Sequence, residues 1–317
     1  VSNPGRNYNF RYFNDCFRNS GIFKNVTVSQ LLKRSVRKMK YIGDHLYKIR
    51  INNINCILDG HDVPHISHSF VENYEELFRG IKFYFILQYT LKHKDLFTSI
   101  EEKYGFKILP FAYGVSKNFP VGRFLWKNEN HKYLGSSAFT VDRNRGHRRP
   151  WVDHAKKSGL FYPKFHKNKS EYVDSLEKCK WGFSLRGSST KYDGKCYRET
   201  EYMSLGMPLA FNYIPCYPFP FYPNEHYVYI NSPSDLLVLK EIDPEPFAKK
   251  SKETWEKYLS PKGISSLLIH LIYNENYRNN LYDFWEHLSK DTKSISKYRI
   301  KRDRPSRCYA SVVFNRK

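Results

Sequence analysis

The chain has 317 residues, 40% of them hydrophobic, with 26 Tyr, 23 Phe and 5 Trp; that is the composition of a globular protein with more apolar material than one core usually takes, so two domains are expected. Its 53 Lys and Arg against 31 Asp and Glu give a formal charge of +22, a positive field that would draw nucleic acid, a membrane surface or a phosphate-bearing substrate. No stretch approaches the ~20 apolar residues of a membrane span, so stable membrane insertion is not expected, and six scattered cysteines without CxxC spacing argue for reduced thiols rather than a disulfide framework.

In chain order, Val28, Leu31, Leu32 and Val36 fall at helical spacing and predict a helix over residues 27–40. Residues 47–59 (YKIRINNINCILD) predict one or two strands, which deliver the titratable cluster Asp59-Gly60-His61-Asp62 to a loop. A helix is expected over 71–79, a buried strand over 81–89 (IKFYFILQY) and another over 108–112. The polar segment 115–130 reads as a crossover, which puts an N-terminal acceptor-side domain at 1–125 and a second domain at 126–274. There the pattern restarts with a strand over 133–141, a basic loop over 143–149, and a helix opening at Pro150, where proline suits the first turn. A helix over 170–178 leads into residues 178–210, read as a strand, a loop rich in Gly, Ser and Lys, and a helix that stops at Gly206-Met207-Pro208. Strands over 209–213 and 227–230 follow, then helices over 234–239, 246–258, 264–273 and 277–288, with a basic tail over 293–307. Residues 275–317 form the closing helix and tail. Strands alternating with helices on both sides of a linker predict an α/β protein with a cleft between two layers, and ligands prefer such clefts.

Two clusters carry chemistry. Gly187-Ser188-Ser189, flanked by Arg186, Lys191 and Lys195, is a flexible basic loop between a strand's carboxyl end and a helix's amino end, where α/β proteins bind phosphorylated ligands. Its spacing fits neither GxxxxGK[ST] nor GxGxxG. Arg198 and Glu201, three apart on the helix that follows, share one face; they suit a pyrophosphate and ribose hydroxyls, or they are an ordinary surface ion pair. In the other cluster, Asp59 or Asp62 could deprotonate a substrate hydroxyl, or make an Asx turn beside Gly60 and Pro64. His61, His65 and His68 lack the HExxH or Cys-pair spacing of a zinc site, and no Asp-x-Asp occurs, so no metal is expected.

Cys179-Lys180-Trp181 through Arg186-Gly187, then residues 195–211 (KCYRETEYMSLGMPLAF), resemble the donor-binding region of the protein O-glucosyltransferase and capsule-type xylosyltransferase family. The pattern Arg198-x-x-Glu201-x4-Gly206-x-Pro208 is similar to exostosin-type enzymes. Trp126-Lys127, Tyr133-Leu134-Gly135-Ser136 and Arg148-Arg149-Pro150-Trp151 resemble further blocks of the first family, and His61-Asp62-Val63-Pro64 resembles the loop that carries its catalytic base. The resemblance implies the GT-B architecture: two Rossmann-like domains facing a central cleft, with the C-terminal helices packing back toward the N-terminal domain and the nucleotide sugar held by residues 126–274. It implies a metal-independent, inverting glycosyltransferase with no cofactor, using a UDP-sugar, xylose before glucose, on a glycan or glycoprotein acceptor. Asp62 would be the base with His61 and Asp59 beside it. Donor binding would fall to Gly135, Ser136, Arg143, Arg148, Arg186, Gly187, Ser188, Lys195, Tyr197, Arg198 and Glu201. Leu134 stands where relatives carry a phosphate-binding Arg, leaving Arg143, Arg145 or Arg148 to take its place. A basic member with no anchor resembles those encoded by large DNA viruses, which implies a cytoplasmic site of action, or the secretory lumen if the chain is trimmed. The competing reading is a nucleic-acid or polyanion-binding α/β protein without catalysis. The charge supports it; the spread of the basic residues and the lack of any standard nucleic-acid motif speak against it, so no nucleic-acid partner is expected.

Overall fold

The structure, a computed structural model, describes residues 8–19, 22, 26–30, 46–61, 66–115, 119, 121, 126–129, 131–136, 139, 141, 143–162, 168–185, 197–213 and 215–295. Helix α1 (Tyr8–Asn19) precedes strand β1 (Val26–Gln30). The helix expected over 27–40 is therefore corrected at its start: residues 26–30 pair antiparallel with β2 (Leu46–Ile51), Val26 opposite Ile51. The run Val-Thr-Val is β-branched, and pairing with a neighbouring strand outweighs a 3.6-residue apolar spacing; residues 31–45 lie outside the described part. Strand β2 turns through Asn52-Asn53 into β3 (Ile54–Asp59), Ile51 opposite Ile54. Asn52 takes φ 53, which asparagine tolerates in a two-residue turn.

Two short helices, α2 (His68–Asn73) and α3 (Glu75–Phe78), carry the chain to β4 (Ile81–Ile86), and α4 (Lys94–Tyr104) carries it on to β5 (Lys107–Pro110). The sheet runs β1-β2-β3-β4-β5, antiparallel up to β3 and parallel from β3 to β5. Its parallel strands end together: Leu87 N–H donates to the Asp59 carbonyl and Phe111 N–H to the Ile86 carbonyl.

The second sheet is built from very short strands. Strand β6 (Gly135–Ser136) falls within the strand expected over 133–141, of which residues 137, 138 and 140 lie outside the described part; a 3₁₀ turn (Arg143–Arg148) leads into α5 (Arg149–Ser158), and β7 (Phe161–Tyr162), α6 (Lys169–Leu176), β8 (Gly182–Ser184), α7 (Tyr197–Ser204), β9 (Leu209–Phe211) and β10 (Tyr227–Tyr229) follow. Parallel pairing links β6 to β7, and β8 through β9 to β10. Backbone bonds from Lys180 N–H to the Tyr133 carbonyl and from Trp181 N–H to the Leu134 carbonyl join the two sets. In space the strands therefore run β7-β6-β8-β9-β10, all parallel. The chain leaves β6 toward one edge and returns through β8 toward the other, so β6 and β8 flank the topological switch point, beside which open α/β sheets bind ligands.

Alternation along these strands separates two cores. Leu209, Phe211 and Tyr227 join the large cluster that also holds the first sheet, α6, α7 and α9 (Pro261–Tyr273). Phe183, Ala210 and Val228 join a smaller one with Trp151 and Val152 of α5 and with Leu236 and Leu239. The last two sit in a 3₁₀ segment (Pro233–Lys240) where an α-helix was expected. After α8 (Glu245–Thr254) comes a π-turn (Trp255–Leu259), and beyond α9 the closing helix α10 (Glu275–Ile295) is longer at both ends than the 277–288 expected.

Both chain ends reach across. Tyr12 of α1 donates to the Leu259 carbonyl, and Ser265 Oγ of α9 to the Cys16 carbonyl (3.2 Å). From α10, Tyr282 Oη donates to the Ile108 carbonyl (3.4 Å) and Trp285 packs on Tyr89. Cys16, Cys56, Cys179 and Cys216 are buried, with burial pushing the first three thiols up to about 12. Among the described residues no helix is long and apolar enough to cross a membrane.

Candidate active site

The carboxyl end of β3 carries a buried hydrogen-bonded dyad. Asp59, the last residue of the strand, is fully buried. Its Oδ1 lies 2.5 Å from His61 Nδ1 and accepts the His61 backbone N–H at 3.0 Å, while Oδ2 accepts from Tyr84 Oη at 2.9 Å. Burial would push the Asp59 carboxyl up, but the hydrogen bonds and charge of His61 and the Tyr84 hydroxyl outweigh it and hold the group below the usual carboxylate range. Both carboxylate oxygens are thus committed within the protein. In the neutral imidazole a carboxylate on Nδ1 selects the tautomer with the proton on that nitrogen and leaves the lone pair on Nε2, which is buried. Just beyond β4 and β5 on the same edge, buried Gln88 donates from Nε2 to Tyr113 Oη at 2.6 Å. Asp62 and His65 lie outside the described residues, and His68 faces Ser99 Oγ (3.1 Å) from α2.

The second cluster stands at the carboxyl ends of β6 and β8. Gly135 and Ser136 are β6 itself, and both are buried. A Cβ on Gly135 would sit 3.1 Å from the Phe161 ring and 3.3 Å from the Trp181 carbonyl, so glycine here lets β6 fit between its neighbours. Leu134 is a core residue. Phe139, three residues past β6, is buried against Phe183 of β8 in an edge contact at 5.6 Å. Arg148, 7% exposed, ends the 3₁₀ turn with its guanidinium 5.9 Å from the Phe139 ring centre. Arg198 of α7 stands 4.9 Å over the same ring and 5.8 Å from the Tyr172 ring.

Helix α7 is pressed against β8. A Cβ on Gly182 would lie 2.7 Å from the Tyr202 ring, and Tyr202 Oη donates to the Phe183 carbonyl at 3.2 Å. Every residue from Glu199 to Ser204 is buried. Glu201 is therefore no solvated partner in a surface ion pair, and its carboxylate lies one turn beyond Arg198 inside the protein. Glu199, equally buried, accepts hydrogen bonds from Tyr213 and Tyr217; Tyr213 also meets Ser184 Oγ at the end of β8 (3.4 Å).

Of the residues predicted to bind a donor, the structure gathers Arg148 and Arg198 about Phe139, with Glu201 on the same helix as Arg198. Tyr197, at the start of α7, is 40% exposed. Arg143 begins the 3₁₀ turn that Arg148 ends, and its side chain lies outside the described part, as do Arg186, Gly187, Ser188 and Lys195 altogether. Sequence reasoning missed Phe139, Glu199, Gln88 and Tyr113. Glu199 carries the signal of an ordinary acidic residue in a helix's first turn, and its tyrosine partners come from the segment after β9.

No family model matches the sequence, and no curated protein matches it. Among solved structures, the chain is similar to the pneumococcal O-GlcNAc transferase GtfA, crystallised in complex with UDP and GlcNAc, at 12% identity and a TM-score of 0.29, over 71% of this chain and 48% of that one. The chain thus spans about half the length of that protein. With so little backbone in common, what this molecule can do has to be read from its own residues.

Proposed function

We propose that the chain is a glycosyltransferase of GT-B type that moves a sugar from a UDP-sugar, xylose being the first choice, to a glycan or glycoprotein acceptor, with inversion and without a metal. The observation that carries the reading is the pair of arginines, Arg148 and Arg198, at the switch point of the all-parallel sheet. Loss of a nucleoside diphosphate develops negative charge on the leaving oxygens, and fixed guanidinium groups stabilise that charge where it forms. In this reading Glu201 accepts the ribose hydroxyls, and the loops bearing Gly135, Ser136, Arg143, Arg186, Gly187, Ser188, Lys195 and Tyr197 complete the donor site. Residues 126–274 would hold the donor and residues 1–125 the acceptor, with the C-terminal helices packing back toward the N-terminal domain.

The reaction needs one base. The acceptor oxygen attacks the anomeric carbon as the bond from that carbon to the phosphate oxygen breaks; the acceptor proton goes to the base, the bonding pair leaves with the diphosphate, and the anomeric centre inverts. Asp62 holds that role through the sequence resemblance. The geometry around β3 favours a second assignment, His61 as base and Asp59 as the residue that orients it, because a buried carboxylate on Nδ1 stabilises the imidazolium formed when Nε2 takes the proton.

A thermal-shift screen of nucleotide sugars tests the reading, since a ligand of the folded state raises the melting temperature as its concentration climbs past Kd. Stabilisation by UDP-sugars is the expected result. Salt-sensitive binding of single- or double-stranded nucleic acid with no response to any nucleotide sugar would replace the enzyme by a polyanion-binding protein.

A further inference from the structure

One side chain that belongs to neither sheet touches the segments leaving the carboxyl ends of both. Helix α10 turns Leu281 and Trp285, four residues apart and hence on one face, into the interior, where both are buried. On one side the Trp285 ring packs on buried Tyr89, three residues past β4, with ring centres 5.4 Å apart. On the other its Nε1 donates to the Tyr217 carbonyl at 3.2 Å, in the segment after β9; a buried indole N–H needs such an acceptor. Both anchor points are themselves tied down. Beside Tyr89, Leu87 N–H donates to the Asp59 carbonyl at 3.0 Å and Gln88 to Tyr113. Tyr217 stacks on Phe219 at 4.8 Å, and its hydroxyl donates to Glu199 in the first turn of α7. Neighbours of Trp285 on the helix reach one sheet or the other, Tyr282 the Ile108 carbonyl at 3.4 Å and Phe284 the Tyr222 ring at 4.8 Å, whereas the Trp285 indole reaches both.

The geometry points to Trp285 as a positioning residue, a strut that holds the carboxyl edge of the first sheet against α7 so that the two open and close as one unit. The inference rests on the nucleotide-sugar reading and adds a property to it: a diphosphate bound at the second sheet also steadies the edge that carries Asp59 and His61. Segments that open as one cooperative unit share one opening free energy, and a ligand of the closed unit suppresses the opening of every amide in it by the same factor. Trp285 touches no reacting atom in this scheme and acts through the segments it joins.

Hydrogen exchange of the full chain with and without UDP tests this in wild type, Trp285→Phe and Trp285→Leu. The Leu87 and Phe111 amides report on the first edge and the Gly182 and Ile230 amides on the second, each bonded to a backbone carbonyl on its own side. In the wild type, UDP at ten times its Kd should slow all four about tenfold. Trp285→Leu, which removes the ring and its N–H, should keep that slowing at Gly182 and Ile230 and lose it at Leu87 and Phe111; Trp285→Phe, which keeps a ring, should retain part of it. A ring that serves stability alone would speed exchange at all four amides and leave the UDP factor uniform. That result overturns the strut, as does a wild type in which UDP binds without slowing Leu87 and Phe111, and both leave the nucleotide-sugar reading standing. Should Trp285→Leu lose its cooperative melt, Tyr89→Leu removes the partner ring on the first-sheet side, and uniform slowing there overturns the strut equally. A wild type that binds none of UDP, GDP, CDP and ADP by calorimetry removes the reading underneath and the strut with it.

Discussion

At the carboxyl edge of the first sheet the polar groups face one another: Asp59 takes His61 and Tyr84, and Gln88 takes Tyr113, all nine-tenths or more buried. At the same edge of the second sheet, Arg148 and Arg198 stand over the ring of Phe139, while Glu199, next to Arg198 in the chain, accepts from two tyrosine hydroxyls. The first arrangement fixes the tautomer and orientation of one imidazole, which suits a group that must accept a proton. The second places two guanidinium charges over one buried ring at the carboxyl ends of β6 and β8, which suits groups that must meet an anion. Equal topological positions thus serve different chemistry, according to whether the side chain there is held by a hydrogen bond or by an aromatic plane.

The comparison breaks most visibly at the base. His61→Ala should lower transfer roughly 100- to 10,000-fold with nucleotide binding retained, measured by turnover and calorimetry on the same preparation. Asp62→Asn should give that result instead if Asp62 is the base, and full turnover in one of the two variants assigns the role to the other. Next in size is Glu199→Ala, which leaves two buried tyrosine hydroxyls without their acceptor and should cost about 1–3 kcal/mol of stability, read from the shift of the urea midpoint; an unshifted midpoint would mean that the carboxylate does not hold α7 to the segment after β9. Glu201→Ala should weaken binding of the UDP-sugar about tenfold with the melt still cooperative, and unchanged affinity by calorimetry would take Glu201 out of the donor site.

The smallest effect is one of pH. Because the folded carboxyl of Asp59 is held below its ordinary value, its contribution is complete above the unfolded pKa of about 3.9 and is lost as the pH falls through the folded value. The stability difference between wild type and Asp59→Asn should therefore be intact at about pH 5 and shrink below pH 4, as followed by urea unfolding across that range. A difference that grows as the pH falls below 4 would mean that burial, and not the hydrogen bonds from His61 and Tyr84, controls the group.

The chain's own pattern established a good part of this molecule. Apolar runs such as IKFYFI and INCILD, short and rich in β-branched and aromatic residues, are strands as read, and the stop at Gly206-Met207-Pro208 ends α7 near where it was read. The placement of Asp59 and His61 at the end of one strand, and of Arg198 and Glu201 on a helix after another, was legible as well. What sequence could not decide was partnership. The first strand was mistaken for a helix because only the register with β2 shows that Val26 and Thr27 pair with Ile51 and Arg50. Phe139 fell within an expected strand like any apolar residue there, Glu199 looked like any helix acid, and Glu201 could have been a surface charge. Their meaning comes from contacts made by residues 9 to 59 positions away, Phe139 with Arg148 and Arg198, and Glu199 with Tyr213 and Tyr217. Local propensity is a property of a few neighbours along the chain, whereas burial, cation seating and the choice of a carboxylate's donors are settled only when distant segments pack.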